Sequence, residues 1–182
     1  LMVTGVQTCA LPISLMIISA NDAAAQIAEH VGGTEQNFID MMNQRAAEIG
    51  CTNTHFTNSS GLPDENHYSS AKDMALIFRE GLKNKDFRSV LGDADYTIQP
   101  TNMTSDKRVM HTHHPMFAPE SDIYYPGCIG GKTGFTNLAA HTLVTAVEQN
   151  GTTYIAVVMH GVELSTCCLD SKALFDYGFG NF

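Results

Sequence analysis

"YYPGCIGGKTGFTN", residues 124–137, sets a lysine and a threonine directly behind two glycines. A phosphate-binding loop runs Gly, four residues, then Gly-Lys-Ser/Thr. Counting back five from Gly131 reaches Pro126, and Gly127 comes one place too late. The phosphate reading fails on spacing, and a strand reading remains. Alternation along a strand puts Lys132 and Gly134 on one face. Just downstream, "HTLVTAVEQ" and "TTYIAVVMHG" are two β-rich runs joined by Asn150-Gly151. That dipeptide suits a type I′ hairpin turn, in which both central residues need positive φ. The Lys132 stretch then pairs with the hairpin as a third antiparallel strand.

Helices flank this sheet. Asn21 and Asp22 open "NDAAAQIAEHV", with alanine as the best helix former and an acid at the positive end. Gly32-Gly33 stops it. Thr34 caps "EQNFIDMMNQRAAEI", where Phe38, Met42, Arg45/Ala46 and Ile49 make one core-facing stripe. Cys51 to Tyr68 is dense in turn formers. Ser70 caps "AKDMALIFREGLKN", with Asp73 in the capping-box place and Met74, Ile77, Phe78 and Leu82 as its buried face. Residues 84–127 read as irregular, apart from short strands around Tyr96–Gln99 and Val109–His111. "DSKALFDYGF" closes as a helix with Ala173, Leu174 and Tyr177 on one face. Helices, then strands, then a helix, without βαβ alternation, make an α+β fold with an antiparallel sheet.

The chain has 182 residues, enough for one domain with a sizeable core. An apolar share of 43% spread through mixed stretches points to a soluble globular protein. The apolar run Leu15 to Ile18 is far too short to cross a bilayer. With 10 basic against 19 acidic residues, the net charge is −9, a poor surface for nucleic acid or an anionic membrane. An anionic ligand therefore needs a local cation, and Lys132 is a candidate. The five cysteines (Cys9, Cys51, Cys128, Cys167, Cys168) form no Cys-x-x-Cys pair, so they read as small buried hydrophobes.

Lys132 supplies a cation, Thr133 a hydroxyl for a carboxylate, and Gly134 leaves room for a ligand to lie against the backbone. Far upstream, Ser19-Ala20-Asn21 holds a hydroxyl and an amide at a helix start. Alone, the one is an ordinary helix cap and the other an ordinary turn. Together, in this order, they resemble the penicillin-recognising serine enzymes. The similarity is greatest to the low-molecular-weight D-alanyl-D-alanine carboxypeptidases. It runs from Leu15 to Phe182, through "SANDAAAQIAEHVGG", "GCTNTHFTNSSGLPDENHYSSAKDMA", "IGGKTGFTNLAAHTLVT" and "KALFDYGF".

The resemblance implies a penicillin-binding/β-lactamase-like transpeptidase fold. It also implies a peptidoglycan stem peptide ending in D-Ala-D-Ala as substrate, β-lactams as mimics, an extracytoplasmic location, and a reaction without metal or cofactor. It assigns Ser19 and Asn21 to proton relay and the substrate amide, Lys132 to the cation of the opposite wall, and Thr133 to the terminal carboxylate. Gly134 and Phe135 complete the substrate wall, the Phe135 N–H as an oxyanion donor.

Two departures set further expectations. The family's nucleophile sits in a Ser-x-x-Lys motif upstream of Ser-x-Asn, and nothing before Ser19 reads so: Ser14 is followed three places on by Ile17. Ser69-Ser70-Ala71-Lys72 has the spacing but the wrong order, and reads as a structural helix start. "VTGVQTCALPIS", residues 3–14, resembles the conceptual translation of a sequencing adapter; the alternative is an edge strand. Residues 1–14 are therefore expected to be non-native, and 15–182 to be a partial catalytic domain, itself inactive, with exposed apolar surface. No intact signal peptide is visible. A β-lactamase-like hydrolase and a non-catalytic peptide-binding module stay open. So does a zinc hydrolase built on the His111/His113 pair, against which no further ligand stands at metal spacing.

Overall fold

The computed structural model describes residues 5–92, 94–100 and 104–182. Six helices and five strands are described: α1 (Gly5–Ile18), α2 (Asn21–Gly32), α3 (Glu35–Glu48), α4 (Ala71–Gly81), α5 (Lys85–Leu91), β1 (Asp95–Ile98), β2 (Arg108–His111), β3 (Cys128–Thr136), β4 (Ala140–Gln149), β5 (Thr152–Gly161) and α6 (Leu164–Asn181). The helix starts follow from side-chain chemistry. Thr34 and Ser70 each accept the backbone N–H three residues on. Gly33, at φ 75°, ends α2 in the left-handed conformation that glycine tolerates.

β3, β4 and β5 form one antiparallel sheet in that order, and β1 pairs with β2 as a separate ribbon. Asn150 and Gly151, at φ 53° and 79°, make the expected positive-φ turn between β4 and β5. Leu143, Val147 and Ala156 face α6 and bury Met116, Cys167, Cys168 and Phe175 against them. Val144 and Ala146 face the other way, onto Phe78 of α4 and Leu91 of α5. Ile13 and Ile17 of α1 pack on Ile98 and Met110 of the ribbon. Side chains such as Phe175 and Leu143, almost wholly buried, each contribute roughly 1.5–3 kcal/mol relative to exposure.

Four expectations need correction. Residues 5–14 are helical, not an edge strand, and α1 carries Pro12 inside it. The stretch after residue 84 holds a helix, α5, because the Asn84 side chain accepts from the N–H of Asp86 (2.8 Å) and Phe87 (3.1 Å). α6 starts at Leu164, and its buried face is Cys167, Cys168, Ser171 and Phe175; Ala173, Leu174 and Tyr177 point to solvent. On α3 the deepest residues are Ile39 and Ala46. Phe38, Met42 and Ile49 are only half-buried, lining a cleft shared with Phe56 and Ile77, and Arg45 is exposed in an ion pair with Glu80 at 2.7 Å.

Cys167 and Cys168 are fully buried free thiols, and burial pushes Cys168 up to about 11. Cys51 and Cys128 are free and partly buried; the side chain of Cys9 lies outside the described residues.

Asp73 departs from the capping-box geometry. Its carboxylate leaves its own helix start and accepts from the Asn53 N–H (2.7 Å) and the Thr54 hydroxyl (2.8 Å). The side chain is fully buried. Burial alone raises its pKa, but the hydrogen bonds from Asn53 and Thr54 outweigh that and hold it below the ordinary value. A depressed carboxylate contributes stability that is present above its unfolded pKa and is lost as pH falls through the folded one. Asp73→Asn is thus expected to lower the thermal midpoint at pH 7. The gap between the two midpoints should begin to narrow once pH falls below the unfolded value of about 4 and close only below the depressed folded one. Parallel curves down to pH 3 would show that the carboxylate charge plays no part.

Candidate active site

The site forms where two helix ends meet the edge of the sheet. α1 stops at Ile18, Ser19 turns at φ 55°, Ala20 is extended, and α2 begins at Asn21. A left-handed serine costs about 1 kcal/mol or more and persists only where its surroundings enforce it. Here the turn is pinned by the Ala20 N–H donating to the Ser14 carbonyl at 3.3 Å. The result projects the Ser19 hydroxyl towards β3. Lys132 Nζ donates to Ser19 Oγ and to the Thr133 carbonyl, the latter at 2.7 Å. Residues 113 apart in sequence therefore meet directly.

Ser19, Asn21, Lys132, Thr133, Gly134 and Phe135 all line one cleft of about 420 Å³. The six residues expected from sequence are thus brought together. Lys132 is partly buried, and that burial lowers its pKa from the ordinary lysine value. Strand register sets Lys132 opposite Val144 and Gly134 opposite Thr142. The place a Cβ would occupy at Gly134 lies 2.5 Å from the hydroxyl of Thr142, which lines the same cleft, so a side chain here would crowd it. Phe135 is 61% exposed, and its ring packs against that of His141 in a tilted pair, centroids 4.5 Å apart.

The opposite wall was not foreseen from sequence: Ser60, Gly61 and Leu62, with Leu15 and Met74. One side chain shapes it. Asn58 Oδ1 accepts from the backbone N–H groups of Ser60 (3.2 Å), Gly61 (2.7 Å) and Leu62 (3.1 Å), folding this loop into a tight turn. The available signal was "NSSGL", a turn cluster that by itself says nothing of a cleft.

The rival residues scatter. Ser69 Oγ is bound to Thr54 Oγ1 at 2.9 Å, within the same anchor as Asp73. Lys72 is exposed and lines a different cleft, with Arg79 and Tyr154. β2 ends at His111, whose Nδ1 lies 2.6 Å from Asp95 Oδ1; His113 is exposed beyond the strand, and His114 turns inward. Among the described residues no three metal-ligating side chains cluster, and no helix is long and apolar enough to cross a membrane.

Comparison with known proteins points the same way. The family described as D-alanyl-D-alanine carboxypeptidase matches residues 4–163. A D-alanyl-D-alanine carboxypeptidase of Bacillus subtilis is 37% identical over 169 residues, 92% of this chain and 41% of the relative. One of Mycobacterium tuberculosis is 36% identical over 173 residues, 91% of this chain and 55% of the relative. The chain thus spans about half the length of these curated relatives. Among solved structures, a Streptomyces DD-transpeptidase superposes with a TM-score of 0.86 at 28% identity, covering 94% of this chain and 67% of that one. A Mycobacterium tuberculosis D-alanyl-D-alanine carboxypeptidase gives 0.80 at 30%, covering 94% and 64%. The mixed helix and antiparallel-sheet architecture is that of the DD-peptidases and penicillin-binding proteins.

Proposed function

The chain belongs to the D-alanyl-D-alanine carboxypeptidase family, and from that premise we propose that its cleft receives the D-Ala-D-Ala end of a peptidoglycan stem peptide. The observation that carries this reading is the contact of Lys132 Nζ with Ser19 Oγ across the cleft. The ligand ends in a carboxylate, and the protein carries a net charge of −9. A partly buried ammonium is the feature that draws an anion into such a field. The Lys132 cation and the Thr133 hydroxyl hold the terminal carboxylate. Ser19 and Asn21 hand on protons and hold the peptide amide. The Phe135 N–H stabilises the oxyanion formed when a serine attacks the penultimate carbonyl. D-Alanine leaves, and water hydrolyses the acyl-enzyme. On the same reading the protein acts outside the cytoplasm, and β-lactams occupy the cleft as substrate mimics.

Titration of the isotope-labelled chain with an N-acylated peptide ending in D-Ala-D-Ala tests the reading. Shifts at Ser19, Lys132 and Thr133 are expected, together with indifference to the L-Ala-L-Ala isomer. Equal response to both isomers, or none to either, rejects it.

We also propose that residues 1–14 are not native and that 15–182 are part of a catalytic domain. Ser19 is preceded by no Ser-x-x-Lys in these 182 residues. The polypeptide as it stands is therefore expected to remain unlabelled by a fluorescent penicillin in a denaturing gel, at any time of incubation. A labelled band, mapped to any serine of the chain, refutes this. A natural reading frame running through Val3–Ser14 in the re-sequenced gene removes the proposal for residues 1–14.

A further inference from the structure

Behind β3, on the face towards α6, lies a histidine that the proposed chemistry does not use. His114 is 4% exposed. Its Nε2 lies 2.9 Å from Thr145 Oγ1, and the Thr145 hydroxyl donates to the Gly130 carbonyl at 3.2 Å. A hydroxyl has one proton to give. With that proton on Gly130, Nε2 carries the hydrogen and donates to Thr145, leaving a bare lone pair on Nδ1. Nδ1 is buried and has no hydrogen-bond partner among the described residues. Burial pushes the imidazole down to about 4, with the Lys132 ammonium adding to the effect, so the ring is neutral at pH 7.

The double glycine follows from this packing. A Cβ at Gly131 would sit 2.5 Å from His114 Nε2 and collide with the Val144 carbonyl. A Cβ at Gly130, where φ is 113°, would collide with the Leu91 carbonyl of α5. β3 is thus clamped between a helix end on one side and an imidazole on the other, directly before Lys132. The clamp matters because β3 is an edge strand with an irregularity between Cys128 and Gly130.

We propose that His114 is a positioning residue for the Lys132 ammonium: wedged under Gly131 and tied through Thr145 to the Gly130 carbonyl, it holds β3 where Nζ reaches Ser19. The inference rests on Lys132 being the cation of the site, but its test needs no substrate. In a buried chain of hydrogen bonds, removing one member loosens the others. Thr145→Val removes the middle link with almost no change of volume. His114→Phe fills the space without a donor, and His114→Gln keeps a donor.

Hydrogen exchange and the Lys132 side-chain resonances are read on the labelled chain at pH 7. Thr145→Val and His114→Phe are expected to speed exchange across Gly130–Lys132 by roughly tenfold or more relative to the β4–β5 ladder. They should also move the Lys132 Cε signal towards that of free lysine, and His114→Gln should restore both. If His114→Phe fails to fold, Thr145→Val decides alone. Unchanged Lys132 signals in a folded variant overturn the proposal. So does a uniform loss of protection over the whole sheet, or a failure of glutamine to rescue, since each marks His114 as ordinary core. A chain that passes this test but ignores D-Ala-D-Ala peptides keeps the inference and loses the proposed substrate.

Discussion

Gly131→Ala is expected to lower the thermal midpoint by roughly 10 °C. The added carbon collides on two sides. One obstacle is the His114 ring, 2.5 Å from the new atom; the other is the Val144 carbonyl on the paired strand. A ring can shift at the expense of its bond to Thr145. A carbonyl in the β3–β4 ladder can move only if the strands separate. Overpacking of this kind costs about 1–3 kcal/mol, occasionally more, and a clash with backbone belongs at the upper end. In a domain of this size each kcal/mol shifts the midpoint by about 2–4 °C. Gly180→Ala is the matched control, because nothing lies within 4 Å of a Cβ there and alanine is the better helix former. Its midpoint should stay level or rise. If Gly131→Ala melts within two or three degrees of the parent by calorimetry, the clamp on β3 is soft, and the positioning role of His114 loses its footing as well.

The contrast between these glycines marks what a sequence can and cannot convey. Local chemistry was readable. Thr34 and Ser70 cap their helices because a hydroxyl three residues before a free N–H needs no further context. Asn150-Gly151 turns because both residues accept positive φ. α5 went unread because seven residues are too few to show a period, and its start depends on the Asn84 amide alone. Asp73 occupied a capping-box position and yet bonds Asn53 and Thr54, twenty and nineteen residues away. Its competing partner is tertiary and leaves no trace in spacing. The same holds for "HTHHP", where neighbouring histidines divide between a contact with Asp95, solvent and the core.

The candidate site shows the difference most sharply. Each half was visible as a helix start or a strand. Their meeting across 113 residues came from a resemblance, not from any rule of spacing. The Ser60–Leu62 wall, shaped by Asn58, was not anticipated at all.

Lys132→Met should weaken binding of an N-acylated D-Ala-D-Ala peptide roughly 100-fold while leaving the fold intact. Methionine keeps the length and the apolar stem of the side chain that stands beside Val144 in the ladder, so only the charge is lost. A hydrogen bond to a charged group contributes about 1.5–3 kcal/mol, and the upper value corresponds to a factor of more than 100 in affinity. Charge in a partly buried site belongs at that end, because the remaining field of the protein repels the ligand's carboxylate. Lys132→Arg should recover only part of the loss, since a planar fork does not replace a point charge aimed at Ser19.

Titration adds a second signature. Burial lowers the pKa of Lys132 below the 10.5 of an ordinary lysine. The cation is present below that lowered value and is lost as pH rises through it. Affinity should therefore decline on the alkaline side earlier than an exposed lysine allows, and Lys132→Met should show no such limb. Calorimetric titration of the parent and the methionine variant across pH 7–10 measures both effects. Equal affinities at pH 7, with both proteins folded, remove Lys132 from the site, and the Ser19 contact would then serve only to join the helices to the sheet.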